Sequence, residues 1–175
     1  MLTIRYRDWI RDVPDFPKPG ILFRDITPLL GNGPVYRQAI TDLAERVRAW
    51  GADVIAGPEA RGYVVGAPLA ATLGLGFVPV RKPGKLPYTT VSVTYDLEYG
   101  QDRLEIHSDA IQKGQRVVVA DDLLATGGTM SATIELVRKL GGEVVGAAFF
   151  IELQALAGRS RLGDIPIHTL VQYES

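Results

Sequence analysis

The sequence contains no cysteine, and this absence excludes several kinds of chemistry. Without a thiol there is no disulfide, no thiolate zinc site, no cysteine-ligated iron–sulfur cluster and no cysteine nucleophile. Only two histidines are present, His107 and His168, and neither belongs to an H-E-x-x-H motif. Carboxylates, hydroxyls and cations are therefore the groups that are expected to carry the chemistry.

The sequence also has little net charge and no long apolar run. Its 175 residues carry a formal net charge of -1, which argues against bulk electrostatic binding of nucleic acid. No apolar stretch approaches the roughly 18 residues of a spanning helix, and the first eight residues carry charges where a signal peptide needs apolar residues. We therefore expect a cytoplasmic protein with no membrane or nucleic-acid partner, and one domain over residues 1–175.

What is present is an alternation of strand and helix patterns. The predicted strands are residues 53–57, 77–80, 116–120, 144–151 and 167–173, and the predicted helices are residues 2–13, 34–50, 62–73 and 129–140. This alternation predicts an α/β fold with a mostly parallel sheet. In such sheets ligands bind beyond the carboxyl ends of the strands.

Two stretches interrupt the alternation. Prolines and glycines end the first helix, and the segment from residue 14 to Gly33 is expected to be irregular or extended. Residues 82–90 form a predicted loop. After it, residues 91–95 and 104–106 alternate as strands around a turn at 98–102, which indicates a hairpin-like excursion.

The most informative segment is residues 117–129, where two acids and a loop of small residues follow an apolar strand. Gly127 and Gly128 permit positive φ and a close approach of the backbone to a ligand. A helix that opens at about Thr129 would present free N–H groups and its dipole to a phosphate. The hydroxyls of Thr126 and Thr129 add donors.

The two acids, Asp121 and Asp122, need a different ligand because carboxylates repel phosphate. They suit vicinal hydroxyls, which donate hydrogen bonds, or a hydrated Mg²⁺. A phosphate at one end and a diol at the other describe a ribose 5-phosphate. The alternative is a surface turn with acids near a helix N-terminus, but a turn needs fewer small residues.

This segment resembles the phosphoribosyl pyrophosphate (PRPP) loop of the type I phosphoribosyltransferases, and further motifs narrow the resemblance to the adenine phosphoribosyltransferases. Those motifs are Asp15–Pro17 with Gly20, Phe23–Pro28, Ala60–Gly62, Val80–Lys82 with Gly84–Pro87, and Tyr95–Gly100. They occur in the family's order from about residue 14 onward, and residues 158–166 are the least diagnostic part. The resemblance implies a three-layer Rossmann-like fold with a central mostly parallel sheet. It also implies a small N-terminal hood over residues 1–33 and a flexible catalytic loop over residues 86–103.

The implied reaction is a step of purine salvage, in which adenine and PRPP give AMP and pyrophosphate through an oxocarbenium-like transition state. Asp121 and Asp122 would bind the ribose hydroxyls, directly or through Mg²⁺. The residues that would hold the 5-phosphate are Ala125, Thr126, Gly127, Gly128 and Thr129.

The resemblance also assigns a cationic set. Arg81, Lys82 and Lys85 would bind the pyrophosphate, with Mg²⁺ on it, and neutralise its charge as the C1–O bond breaks. The alternative for these three residues is a solvated cationic loop. Arg81 would also reach the site of the neighbouring subunit, which implies a homodimer.

The adenine ring would lie between Phe23 and Leu123, although Phe23 taken alone would be interpreted as ordinary core. The backbone around Leu22 and Arg24 would read the exocyclic amine of the base. Arg61 would support the base or the phosphate.

Adenine loses a proton as its ring nitrogen attacks, so a carboxylate near that nitrogen would accept it. Glu98 in the closing loop is the first candidate for this role, and Glu59 beside Arg61 is its rival. The alternative for Glu98 is a loop-ordering acid.

Two other functions stay open at this point. A PRPP-sensing regulator would share the fold, but it needs an added nucleic-acid module, and only 13 residues precede Pro14. A 6-oxopurine or orotate transferase would need a donor such as a lysine side chain at the exocyclic position, and the Phe23–Asp25 motif argues against it.

Overall fold

The computed structural model describes residues 3–97 and 99–175. Its helices and strands, in chain order, are β1 (Arg11–Val13), β2 (Phe23–Asp25), α1 (Thr27–Leu30), α2 (Gly33–Arg48), β3 (Val54–Pro58), α3 (Arg61–Leu73), β4 (Gly76–Val80), β5 (Thr90–Asp96), β6 (Gln101–His107), β7 (Arg116–Leu124), α4 (Gly128–Lys139), β8 (Glu143–Leu153) and β9 (Ile167–Tyr173). Short 3₁₀ turns cover Tyr6–Trp9, Gln154–Leu156 and Gly158–Arg161.

The centre of the molecule is a five-stranded parallel sheet in the order β4-β3-β7-β8-β9. Helices α2 and α3 contribute to the apolar core on one face, and α4 with the β5–β6 hairpin contributes to the core on the other. The predicted α/β fold with a parallel sheet and three layers is therefore confirmed.

Strand β7 shows how the sequence builds both cores from one strand. Val118 and Ala120 belong to the first core, while Val117 and Val119 belong to the second. Because successive side chains of a strand point to opposite faces, a run of small apolar residues fills both layers.

The longer helices begin and end close to their predicted positions. The side chain of Asn32 accepts a hydrogen bond from the N–H of Val35 at 3.1 Å, which caps the start of α2. Helix α2 ends at Arg48, two residues before its predicted end, and Gly51 takes a φ of +65° in the turn that follows. Gly74 closes α3 in the left-handed conformation that favours glycine.

The helix predicted over residues 2–13 is wrong. In the described part of this segment, Tyr6–Trp9 forms one 3₁₀ turn and Arg11–Val13 pairs antiparallel with Phe23–Asp25. An isolated helix of this length is marginal in water, whereas the paired strand buries Ile10 beside it and places Asp12 opposite Arg24. The segment to Gly33, predicted as irregular or extended, also contains the single-turn helix α1.

The predicted hairpin is confirmed. Strands β5 and β6 pair antiparallel from Thr90 with His107 to Asp96 with Gln101, and Val93, Leu104 and Ile106 are buried in the core shared with α4. Most of the segment predicted as a flexible loop, residues 86–103, thus lies in paired strands. Within residues 3–97 and 99–175, no helix is long and apolar enough to cross a membrane.

Gly146 of β8 gives a test of how tightly α2 and the sheet are joined. A Cβ built on Gly146 would lie 2.3 Å from Cε3 of Trp50, just beyond α2, so Gly146→Ala must displace the indole. We expect a loss of about 1–3 kcal/mol in the free energy of unfolding, measured by thermal or denaturant unfolding. Gly76→Ala in β4 is the matched control, because its Cβ would meet Val54 at an ordinary 3.7 Å. Equal stability of the two variants would contradict the close packing.

Candidate active site

The site lies where the strand order of the sheet reverses. β4 is on one side of β3 and β7 is on the other, so the carboxyl ends of β3 and β7 flank a topological switch point. Ligands of open α/β sheets bind in the crevice at this position. A cavity of about 190 Å³ opens there, and its lining residues are Arg61 and the continuous run from Asp121 to Met130.

The predicted end of β7 is four residues too early. The strand continues past Ala120 because Asp121 pairs with Phe149 and Leu123 with Ile151 in the ladder to β8. The two acids are therefore strand residues, and the phosphate loop shortens to Ala125–Gly127 before α4 begins at Gly128. A strand position holds these carboxylates more firmly than a loop position would.

Asp122 is almost fully buried and is paired with Arg61. The side chain of Asp122 is 6% exposed, and its Oδ2 lies 2.7 Å from Nε of Arg61, the first residue of α3. The guanidinium also lies over the ring of Phe23, with its Cζ 5.3 Å from the ring centroid. Arg61 thus connects a predicted ribose-binding acid with the predicted base-binding ring.

Asp121 sits in a more restrictive environment. Its Oδ1 accepts the N–H of Asp122 at 2.8 Å, and a Cβ built on Gly62 would approach that oxygen to 3.2 Å. Burial, and then the neighbouring charge of Asp122, raise the pKa of Asp121 well above its usual range. The pair therefore combines an acid whose charge Arg61 offsets with one that resists ionisation.

The phosphate loop has the geometry of an anion cradle. Gly127 has a φ of +86° and precedes α4, and within the described residues no side chain caps the helix N-terminus. The first N–H groups of α4 are left for a ligand, and the helix dipole favours a negative charge there. The predicted phosphate-binding run from Ala125 to Thr129 lines the same cavity as the two acids.

The cationic loop after β4 does not line this cavity; two carboxylates of other elements position it. Oε1 of Glu59 accepts hydrogen bonds from Nε of Arg81 at 3.2 Å and from the backbone N–H of Lys82 at 2.8 Å. Oε1 of Glu105 accepts the N–H of Gly84 at 3.0 Å, and this bond does most to lower the pKa of Glu105. Glu105 is not among the site residues predicted from the sequence, because its role comes from its contact with the distant Gly84.

Lys82 is engaged by the hairpin. Its ammonium bonds to the carboxylate of Asp102, and the hydroxyl of Tyr95 bonds to the same carboxylate at 3.3 Å. The ring of Tyr95 also lies beside the end of the phosphate loop, because a Cβ built on Gly128, the first residue of α4, would lie 3.8 Å from its Cδ2. The hairpin therefore touches both the cationic loop and the phosphate loop, while Lys85 is exposed.

The predicted base-binding residues divide into two groups. Phe23 packs edge-to-face on Phe16 with centroids 5.2 Å apart, and Leu123 lines the cavity. The side chain of Arg24 instead bonds to Asp12 and stacks on Tyr173 at 3.9 Å. Because the side chain of Arg24 is engaged in this way, its backbone is the part that is available to contact a base.

Of the two candidate proton acceptors, Glu59 is among the described residues and Glu98 lies outside them. Glu59 accepts hydrogen bonds from Arg81 and from the backbone of Lys82.

The exposed Leu22 directly precedes β2. Among residues 3–97 and 99–175, no group of three or more histidine or carboxylate side chains is arranged to hold a metal ion.

Gly127→Ala tests whether the loop depends on its glycine. A Cβ there would lie 2.6 Å from the carbonyl oxygen of Gly158 at a φ that L-residues disfavour, so we expect a stability loss of roughly 2 kcal/mol or more. Binding of AMP should also be lost. Gly128→Ala is the control: it has no contact under 3.5 Å and should keep or slightly raise stability as a helical alanine. Thermal or denaturant unfolding of both variants measures these changes. Equal losses of stability in the two variants would contradict the close contact between Gly127 and Gly158.

Comparison with known proteins agrees with this geometry. The family profile of the phosphoribosyl transferase domain matches residues 29–170. An adenine phosphoribosyltransferase of Brevibacillus brevis is 64% identical over 168 residues, which cover 96% of this chain and 99% of the relative.

Two solved structures extend the comparison. The adenine phosphoribosyltransferase of Thermoanaerobacter pseudethanolicus superposes with a TM-score of 0.94 at 53% identity, covering 96% of this chain and 98% of that one. The Saccharomyces cerevisiae enzyme, complexed with adenine and an iminoalditol bisphosphate, gives 0.88 at 41% identity, with 94% and 96% covered. This chain therefore has the type I phosphoribosyltransferase fold and belongs to the adenine phosphoribosyltransferase family.

Proposed function

We propose that this chain transfers the 5-phosphoribosyl group of PRPP to adenine, which gives AMP and pyrophosphate in purine salvage. A ring nitrogen of adenine bonds to C1 of the ribose as the bond from C1 to the pyrophosphate oxygen breaks. The proton of that nitrogen passes to a carboxylate. The observation that carries the proposal is the single cavity that joins two acids, a glycine-rich phosphate loop and Arg61.

The ribose 5-phosphate half of PRPP is assigned to this cavity. The 5-phosphate accepts hydrogen bonds from the N–H groups at the start of α4 and from the hydroxyls of Thr126 and Thr129. Asp121 and Asp122 accept hydrogen bonds from the ribose hydroxyls. Their strand positions in β7 fix the distance between the diol and the phosphate.

The leaving pyrophosphate is assigned to Arg81, Lys82 and Lys85. Their loop joins β4 to the hairpin, and Glu59 and Glu105 hold its backbone. Preorganised cations stabilise the negative charge that develops as the C1–O bond breaks. Lys82 exchanges the carboxylate of Asp102 for the pyrophosphate when substrate binds.

The residues present suit Mg²⁺ held mainly by the substrate. Two neighbouring carboxylates, one of them already paired with Arg61, are too few for an all-protein metal cage. Mg²⁺ keeps several waters and commonly binds through one or two carboxylates together with substrate phosphates. When bound, it would neutralise part of the charge on the pyrophosphate, while Asp121 and Asp122 orient the hydroxyls and waters around it.

Adenine is assigned to the gap between Phe23 and Leu123. The Phe23 ring is held by its T-shaped contact with Phe16 and by the Arg61 cation. Its orientation is therefore fixed before a base stacks on it. Backbone groups around Leu22 and Arg24 distinguish the exocyclic amine from a carbonyl. The hairpin closes over the site and excludes water from the oxocarbenium-like centre.

The single domain over residues 1–175, the homodimer and the cytoplasmic location stay predictions. For the dimer, Arg81 is the residue expected to reach the neighbouring site. In one chain its side chain is 35% exposed, which leaves part of the guanidinium for a second contact.

An assay of base preference tests the proposed function. Protein incubated with PRPP and Mg²⁺ should convert adenine to AMP far faster than it converts guanine, hypoxanthine or orotate. Nucleotide products are separated by chromatography, and heat-denatured protein is the control. Equal or faster turnover of another base would contradict the adenine assignment. Binding of PRPP without any product would favour a regulator.

The two candidate bases are distinguished by their kinetic signatures. Glu98→Gln should lower kcat by about 100-fold with little change in the KM for PRPP, because a general base contributes to the chemical step. Glu59→Gln should mainly raise the KM for PRPP, since Glu59 holds Arg81 and the backbone of Lys82. Initial-rate kinetics of both variants decide. The reverse pattern would transfer the proton-accepting role to Glu59.

A further inference from the structure

The segment between β8 and β9 forms a wall beside the phosphate loop. Residues Gly158–Arg161 make a 3₁₀ turn, and a Cβ built on Gly158 would lie 2.2 Å from the carbonyl oxygen of Ala125. No side chain fits between the two backbones at this contact. The turn is therefore fixed in position relative to the loop, although its sequence is the least diagnostic part of the chain.

An ion pair with a buried carboxylate anchors the same turn to the sheet. Nε and Nη2 of Arg159 donate to the two carboxylate oxygens of Glu152 at 2.9 and 2.8 Å, and the Glu152 side chain is 5% exposed. This bidentate geometry is the strong form of an arginine–carboxylate pair. Arg159 is therefore engaged by Glu152, whereas Arg161, the other arginine of the turn, is not part of this ion pair.

The side chain of Arg161 runs along Gly127 of the phosphate loop and Gly128 at the start of α4. Its Cβ would lie 3.3 Å from a Cβ built on Gly127, and its Nη1 would lie 3.5 Å from one built on Gly128. Within the described residues, no carboxylate lies within salt-bridge distance of this guanidinium and no acceptor bonds to it. Arg161 thus places a positive charge without an acidic partner beside the phosphate loop.

We propose that Arg161 is a ligand of the 5-phosphate, in addition to the backbone of the loop; this inference rests on the proposed function. A guanidinium suits a phosphate because its planar N–H groups can donate two parallel bonds to two oxygens. Arg61 is already paired with Asp122, so a separate cation beside the loop is the group available to compensate the charge of the phosphate.

Binding of AMP to three variants tests the proposal. Arg161→Gln should weaken AMP binding by about 10- to 100-fold, as expected for the loss of charge-assisted hydrogen bonds. Binding of adenosine, which lacks the phosphate, should stay unchanged. Arg161→Lys keeps the charge and should lie between the wild type and Arg161→Gln. Arg138→Gln removes the same charge at the opposite end of α4 and should bind AMP as the wild type does.

Isothermal titration at two salt concentrations measures these affinities, and thermal unfolding checks that each variant is folded. Unchanged AMP binding by Arg161→Gln would overturn the role of Arg161. An equal loss for adenosine would also overturn it, because that result describes a general disturbance of the site. If wild-type protein forms no AMP from adenine and PRPP, the proposed function itself has failed. If Arg161→Gln does not fold, the ratio of adenosine to AMP affinity in Arg161→Lys still decides.

Discussion

The ion pair between Arg61 and Asp122 is the interaction on which the arrangement of the site depends. A carboxylate buried at the end of a central strand is unfavourable unless a charge and hydrogen bonds compensate it. Arg61 supplies the charge from the first turn of α3, and the same guanidinium lies on Phe23 of the N-terminal segment. One side chain therefore fixes three elements relative to one another: the strand that carries the acids, the helix after β3 and the ring assigned to the base.

Backbone contacts without intervening side chains add the second constraint. Gly57 lies against the carbonyl oxygen of Ala120, Gly127 against that of Gly158, and Gly158 against that of Ala125. A Cβ built on each glycine would lie 2.9, 2.6 and 2.2 Å from the respective oxygen. These contacts bring the ends of β3 and β7 and the turn after β8 together without bulky side chains. The small residues of the site thus serve two purposes, since they admit a ligand on one side and join the wall of the cavity on the other.

The parts of this structure that follow from local patterns were predictable, and the parts that follow from distant contacts were not. Strand β9 spans Ile167–Tyr173 as predicted, because the apolar run in its sequence covers the same residues that pair with β8. Strand β7 extends beyond Ala120 only because β8 continues beside it and Arg61 compensates Asp122, and neither partner is adjacent in sequence. Glu105 and Arg161 carried no local signal for the same reason. Glu105 contacts Gly84, and the role proposed for Arg161 depends on the phosphate loop, each contributed by another part of the chain.

The distribution of charge in the site corresponds to the distribution of charge along PRPP. That substrate is anionic at both ends and carries neutral, hydrogen-donating hydroxyls between them. The described residues place cations at two separate positions, Arg161 beside the phosphate loop and Arg81 with Lys82 beyond β4, with the two acids in the cavity between the loop and Arg61. A uniformly cationic pocket would attract any polyanion, whereas one ion-paired acid and one acid that resists ionisation offer no free cation to a phosphate that binds out of register. The proposed role of the two acids as acceptors for the ribose hydroxyls therefore also favours one position of the substrate over others.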